Sequence, residues 1–255
     1  MPEQEKQSKF PSEIVDLPSG GKIYGKESPL YDGKIEIKYM TAKEEDILTS
    51  TNLIKKGAAL EKLMNSLIIT PGVNINDLVL GDKNAIMVAI RILAYGPQYQ
   101  VNVTNPNNTD ESMDYEFNLA DCPFKEKPKD VEYLKNEFDF DLPVSKHKIK
   151  FKLLTGIEEE LIVKELEAKK KLGSLIDSTI TTRLKYIITN YNGVTDKMEI
   201  GHNVENMLAK DSLSLRNEIT RISPDIDLKQ EVEFPGGDTV EVDIPLTVGF
   251  FWPSS

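Results

Sequence analysis

Few residues in this sequence are of the types that carry catalysis or bind metal ions. The single cysteine is Cys122, and the two histidines are His147 and His202. Neither histidine belongs to a recognised metal-binding motif, and Cys122 precedes Pro123 without the neighbours of a catalytic thiol. We therefore predict that the protein is not an enzyme and has no metal or other cofactor. A Cys122 nucleophile paired with one of the histidines is the catalytic alternative.

Two other patterns contain residues that bind ions, but each has a simpler structural interpretation. Gly20-Gly21-Lys22 has the residue types of a phosphate-binding loop, yet no buried strand precedes it and no helix follows it. The acidic run at residues 137–141 lacks the Asp, Asn and Gly spacing of a calcium loop. We interpret the first as a turn and the second as a solvated surface.

The charge balance disfavours nucleic acid as a partner. The chain has 42 acidic and 31 basic residues and a formal net charge of -11, so its field repels backbone phosphates. No apolar run reaches the ~20 residues that a membrane-spanning helix needs. Residues 1–9 do not resemble a secretory signal, and we expect a protein that folds in a cytoplasm.

The two ends of the chain carry the apolar residues that best fit a partner-binding role. Four prolines within residues 1–30 favour an extended arm, and residues 250–252 place three large aromatic side chains together. As a hypothesis, the arm pairs with a sheet edge and the aromatic end fills a pocket on a partner. The alternative is that both ends pack on this chain itself. The candidates are Phe10, Pro11, Ile14, Leu17, Pro18, Tyr24, Phe250, Phe251, Trp252 and Pro253.

Two segments share one order of local signals, namely a strand, a capped acidic helix start, a basic helix end and a glycine. Residues 34–40 and residues 148–153 alternate apolar and polar side chains with the period of a half-buried strand. A capping box follows each strand. We predict one strand-plus-helix unit in each segment, and a true duplication and a common supersecondary unit both remain open. The capping pairs are Thr41 with Glu44 and Thr155 with Glu158, and the glycines are Gly57 and Gly173.

The other elements follow from helical spacing and from turn residues. Further helices are predicted at residues 58–70, 82–95, 174–190, 204–209 and 212–222, with Asp82, Asn203 and Asp211 as N-caps of three of them. Hairpins are predicted from residues 98–104 with 114–119 and from residues 229–234 with 239–244.

These elements predict an α+β fold with an extended proline-rich N-terminal arm, two strand-plus-helix units and a C-terminal β-hairpin. Along the chain we expect an extended docking arm at residues 1–30 and an N-terminal α+β domain at residues 31–122. A linker at residues 123–145 then leads to a C-terminal helical part with the terminal β-hairpin at residues 146–255.

One further feature is an ordered set of segments spread along the chain. The segments are FPSEIVDLPSGGKIY at residues 10–24, MTAKEEDIL at 40–48, GAAL at 57–60, GD at 81–82, RILAYGPQY at 91–99 and IPLTVGFFWP at 244–253. In this order and spacing they resemble the T-even-type (myovirus) family of phage baseplate hub and hub-assembly proteins. The likeness is strongest over residues 10–104 and weaker over about the last 25 residues.

The resemblance implies a non-enzymatic structural or assembly protein in the hub region of a contractile phage tail baseplate. Its partners would be other phage baseplate or tail proteins, with the chain oligomeric within an assembly and without nucleic-acid or membrane contacts. The alternative is a transient hub-assembly chaperone that is absent from the virion. The implied location is the host cytoplasm during assembly, and the virion tail baseplate if the protein is retained. A phage-encoded enzyme such as a wall-degrading hydrolase is the remote alternative, although the sequence shows no acidic pair in a glycosidase context.

Overall fold

The computed structural model describes residues 11–173 and 176–252, and this part of the chain has the predicted α+β fold. Its strands pair antiparallel in four small sheets, β1–β2, β3–β4, β5–β6–β7 and β8–β9. The strands are Ser12–Asp16 (β1), Lys34–Lys38 (β2), Gln98–Thr104 (β3), Ser112–Asn118 (β4), Phe138–Asp141 (β5), Lys148–Phe151 (β6), Ile188–Tyr191 (β7), Lys229–Glu233 (β8) and Thr239–Asp243 (β9). The α-helices are Ala42–Thr49 (α1), Thr51–Lys55 (α2), Ala59–Leu67 (α3), Leu80–Tyr95 (α4), Gly156–Lys171 (α5), Thr179–Ile187 (α6), Lys197–Glu205 (α7) and Ala209–Ile222 (α8).

The first predicted strand-plus-helix unit is confirmed. β2 buries Ile35 and Ile37 on one face, and α1 begins with the predicted capping box. The Glu44 carboxylate accepts hydrogen bonds from the Thr41 backbone N–H at 3.1 Å and from its hydroxyl at 2.5 Å. The predicted single helix up to Gly57 is divided, because Ser50 has an extended conformation and is the N-cap of α2, a position that serine favours.

The second strand-plus-helix unit is also confirmed. β6 buries Ile149 and Phe151, and Thr155 with Glu158 forms the capping box of α5. The three lysines at residues 169–171 occupy the last turn of that helix, where positive charge interacts favourably with the helix dipole. The two local signals that define each unit therefore lead to the same structure in both places.

The predicted N-caps Asp82, Asn203 and Asp211 are wrong, because the N-caps of these helices lie three to seven residues earlier in the chain. The observed N-caps of α4, α7 and α8 are Val79, Asp196 and Leu208. Asp211 lies within the first turn of α8 and accepts the backbone N–H groups of Val144 at 2.7 Å and Ser145 at 3.0 Å. Its side chain therefore binds another segment instead of capping its own helix.

The strand β7 was not predicted. The helix expected over residues 174–190 ends at Ile187 in the structure, and the chain passes directly into β7 beside β6. Residues 174 and 175 lie outside the described residues. The consecutive Ile187 and Ile188 fit a helix and a buried strand equally well, so periodicity alone does not distinguish the two.

Two hydrophobic cores lie within the described residues. The first combines side chains from β2–β4, α1, α3 and α4 with side chains from the terminal hairpin β8–β9. The second combines β5–β7 with α5–α8, and also takes Ile23 and Val79 from the first part of the chain. The terminal hairpin thus packs with residues 31–122, although the predicted division along the chain places it with residues 146–255. A two-stranded hairpin is stable when another element covers its apolar face, and here Val232 and Val240 are buried in the first core.

Residues 123–145, where a linker was expected, are held at several points. They contain β5, and Phe124 forms an isolated β-bridge with Ile226. The Tyr133 hydroxyl donates to the Ile222 carbonyl at 2.7 Å. The segment therefore connects the two cores while packing on both, and the predicted division into four segments stays a prediction.

Candidate interaction surface

The strand β1 has one open edge within the described residues. Its hydrogen bonds to β2 continue at both ends, where Leu17 N–H donates to the Gly33 carbonyl at 2.7 Å and Tyr39 N–H donates to the Pro11 carbonyl at 3.0 Å. In an antiparallel ladder, the backbone N–H and C=O groups of successive residues point alternately towards the partner strand and away from it. The odd-numbered residues of β1 therefore face β2, and the N–H and C=O groups of Ser12, Ile14 and Asp16 point outward.

The opposite edge of this small sheet is covered. Ile69 N–H donates to the Glu36 carbonyl at 3.0 Å, and Glu36 N–H donates to the Thr70 hydroxyl at 2.7 Å. An isolated bridge between Ile37 and Ile68 completes this cover. The sheet can therefore be extended at β1, and not at β2.

Ile14 lies at the centre of the open edge and is 67% exposed. It shares its face with Ser12, whose hydroxyl donates to Glu36 at 2.6 Å, and with Asp16, which lies 4.0 Å from the ammonium group of Lys34. Glu13 is also exposed. The open edge thus combines an apolar side chain with two acidic ones.

The arm behind this edge is anchored by a buried carboxylate. Asp82, in the first turn of α4, accepts hydrogen bonds from Ser19 N–H at 2.9 Å, from the Ser19 hydroxyl at 2.6 Å and from the Tyr24 hydroxyl at 2.5 Å. Burial raises the pKa of the Asp82 carboxyl, although these hydrogen bonds oppose the rise. Burial together with the charge of Asp82 raises the pKa of the Tyr24 hydroxyl as well. These contacts fix the arm against the first core.

The predicted arm residues divide between surface and interior. Pro11 and Ile14 are exposed, Tyr24 is half-buried, and Leu17 and Pro18 are buried within this chain. Phe10 lies outside the described residues. The arm therefore packs on its own chain at one end, and presents Pro11 and Ile14 to solvent at the other.

The aromatic end is mostly interior. Phe250 and Phe251 are 1% and 0% exposed and belong to the first core. The Phe250 ring lies 5.2 Å from the Tyr99 ring and 5.5 Å from the Phe251 ring, measured between centroids. Trp252 is 36% exposed, and Pro253 lies outside the described residues. Phe250 and Phe251 thus pack on their own chain, which is the arrangement that the alternative interpretation of the aromatic end describes.

The residues that could carry catalysis each have different neighbours in the structure. Cys122 is buried, and burial raises the pKa of its thiol. His147 lies beside the Tyr191 ring, and His202 is exposed near Asn206 on α7. In the described part of the chain, no group of three or more His, Cys, Asp or Glu residues is placed to hold a metal ion. No described helix has the length and apolar character needed to cross a membrane.

Sequence reasoning missed the anchor formed by Ser19, Tyr24 and Asp82. Asp82 looked like a helix cap because aspartate is common at that position. Its partners lie 58 and 63 residues away in the chain, so no local pattern pointed to them. The sequence also contained no indication of the open edge of β1, because the tertiary fold decides which strands lie beside it.

Comparison with known proteins gives one clear result. A search of curated proteins and a search of solved structures each gave no match. The family described as T4 bacteriophage base plate protein matches residues 11–252, which is most of the chain. This match includes the anchored arm, both cores and the terminal hairpin, and it agrees with the resemblance noted in the N-terminal segments. The chain belongs to the T4 bacteriophage base plate protein family.

Proposed function

We propose that this protein is a non-enzymatic structural or assembly protein of the hub region of a contractile phage tail baseplate, and that it binds other baseplate proteins through the open edge of β1. The family match over residues 11–252 supports a baseplate role. The observation that supports this mode of binding is the row of outward N–H and C=O groups at Ser12, Ile14 and Asp16.

An extended segment of a partner would add a third strand to the β1–β2 sheet. Backbone hydrogen bonds supply affinity in this mode of recognition, and side chains supply specificity. The exposed Ile14 favours an apolar side chain opposite it. Glu13 and Asp16 favour a basic residue on the incoming strand, because opposite charges across a strand pair are stabilising.

A proline substitution at Ile14 tests this contact directly. The N–H of Ile14 points outward, so Ile14→Pro removes a donor from the open edge and leaves the β1–β2 hydrogen bonds in place, as prolines on edge strands do. Val15 faces β2, and Val15→Pro is the matched variant that should break the sheet itself.

The measurement is a pull-down of tagged protein from phage-infected cells, with bound proteins identified by mass spectrometry. Ile14→Pro should keep the wild-type circular dichroism spectrum and melting temperature and lose the bound baseplate proteins. Retention of those proteins by a folded Ile14→Pro variant would exclude the open edge as the contact.

The protein's place in the particle is a separate part of the proposal. In our proposal the chain assembles in the host cytoplasm, is oligomeric within an assembly and stays in the virion tail baseplate. Stoichiometric peptides in a mass spectrum of purified virions would support a permanent component. Their absence would favour a transient hub-assembly chaperone. Lytic activity of the purified chain would instead support the enzymatic alternative.

A further inference from the structure

A cleft of about 1100 Å³ lies between the two cores. One wall is formed by α6 and α8, and the other by the start of α4 and the strand ends of β8–β9. Buried side chains from both cores form its apolar floor, among them Leu154, Leu184 and Ile244. Ile180, at the rim, is 48% exposed.

The two cores that border the cleft are joined by close backbone contacts. Val79 and Thr155 form an isolated bridge, and Gly156 N–H donates to the Leu78 carbonyl at 3.2 Å. Gly81 packs so closely on Pro224 that an added Cβ atom would lie 1.8 Å from the Pro224 carbonyl oxygen. The cleft is thus formed before any partner binds, which lowers the entropic cost of binding.

Arg216 of α8 lines this cleft without a bonding partner among the described residues. Its Nε atom is buried and makes no hydrogen bond, and its guanidinium takes part in no ion pair in the same part of the chain. A guanidinium has five N–H donors, and a buried donor without an acceptor costs free energy. The two terminal amino groups of Arg216, which also have no hydrogen-bond partner among the described residues, are the donors that a ligand in the cleft can reach. A carboxylate, with two oxygens in one plane, best satisfies such a pair of donors.

The other charged groups of the cleft are already engaged or lie on the opposite wall. Arg183 donates to the Glu159 carboxylate at 2.9 Å, and Lys125 donates to the Thr220 carbonyl at 2.5 Å. The opposite wall carries the carboxylates of Asp225, Asp227 and Asp243, of which Asp225 accepts from the Asn84 amide at 3.1 Å. Lys229, on the same wall, pairs with Glu241 at 2.5 Å. A ligand carboxylate would therefore be directed to Arg216 and away from the wall that carries Asp225.

We propose that the cleft binds an acidic segment of another baseplate protein, with an Asp or Glu side chain on Arg216 and neighbouring apolar side chains over Ile180 and the apolar floor. Charge complementarity and the volume of the cleft together favour a peptide over a small anion. The identity of the partner as a baseplate protein rests on the proposed function. Binding of an acidic peptide in the cleft does not, since the cleft is a different surface from the β1 edge.

The test is a peptide selection on the purified full chain. A random peptide library is selected on the wild-type protein, and an enriched peptide is then measured against variants. Enriched sequences should contain Asp or Glu beside apolar residues. Because hydrogen bonds between charged groups are stronger than those between neutral groups, Arg216→Gln should weaken binding by roughly tenfold or more, and replacing the peptide's acid by its amide should do the same.

Two matched controls separate the cleft from general charge effects. Arg221→Gln lies on the same helix, where Arg221 pairs with Asp130 and Glu218 outside the cleft, and it should leave binding unchanged. Ile180→Asp should weaken binding of the acidic peptide, whereas the same change at Leu172, exposed and away from the cleft, should not.

Several outcomes would overturn the proposal. These are enrichment of peptides without acidic residues, equal binding by Arg216→Gln and wild type, and an equal loss in Arg221→Gln. Competition by inorganic phosphate alone would reassign the cleft to small anions. Self-association of the purified chain that disappears in Arg216→Gln would reassign it to a second copy. None of these results would change the result expected for Ile14→Pro. A failure of the cleft proposal can therefore be distinguished from a failure of the β1-edge proposal.

Discussion

Replacing Phe250 by alanine should destabilise the first core and should not act by removing a partner contact. The side chain is 1% exposed, and its ring contacts Tyr99 and Phe251. Phe→Ala substitutions in cores cost about 3–5 kcal/mol, from lost burial and from the cavity that remains. Unfolding free energies are typically about 5–15 kcal/mol, so the variant should fold with much reduced stability.

The expected shift in melting temperature follows from the size of the chain. About 2–4 °C is lost for each kcal/mol in domains of about 150–250 residues, so Phe250→Ala should melt roughly 6–20 °C below the wild type. Thermal melts followed by circular dichroism measure this shift, and urea unfolding gives the free energy. Trp252→Ala is the control, because Trp252 is 36% exposed and its truncation should cost less.

A pull-down at a temperature where both variants are folded separates the two interpretations of the aromatic end. If Phe250→Ala melts at the wild-type temperature and loses its bound baseplate proteins, the side chain serves a partner and the reasoning from burial fails. A lower melting temperature with retained partners supports internal packing. Loss of partners in Trp252→Ala alone would identify the exposed indole as a contact.

Two further predictions concern stability. Burial opposes ionisation of Glu44, but hydrogen bonds from Thr41, Ser66 and Lys38 outweigh it and lower the pKa from 4.5 to about 2. This carboxylate therefore contributes stability above pH 4.5 that is lost as the pH falls towards 2, about 3 kcal/mol in total. Urea unfolding between pH 2 and 7 should show Glu44→Gln less stable at neutral pH and equal to wild type near pH 2, and a constant difference would contradict this. Gly81→Ala should destabilise by about 1–3 kcal/mol or more through its contact with Pro224, whereas Gly201→Ala in α7 should stabilise by up to about 1 kcal/mol, since its Cβ would meet ordinary contacts at 3.6 Å or more. Equal urea midpoints for the two glycine variants would refute the steric argument.

Elements encoded by neighbouring residues were predicted well from the sequence. The capping boxes at Thr41 and Thr155 join residues three apart, and the terminal hairpin turns within residues 234–238, where Phe234 N–H donates to the Asp238 carbonyl at 2.8 Å. Such contacts depend on local backbone geometry, so they are visible in the pattern of residue types. The family resemblance of residues 10–104 was visible for a similar reason, since it depends on residue types in order.

Features that join distant segments were decided by the tertiary structure. Phe250 is interior because Tyr99, some 150 residues earlier, lies against it, and the same three aromatic residues at an uncovered end would have formed a contact surface. Asp82 anchors the arm because Ser19 and Tyr24 reach it. Within the described part of the chain, Arg216 is without an acceptor because two cores meet with a gap between them. The sequence by itself determined the family, the α+β class and most elements, whereas burial, open strand edges and clefts depend on which distant surfaces meet.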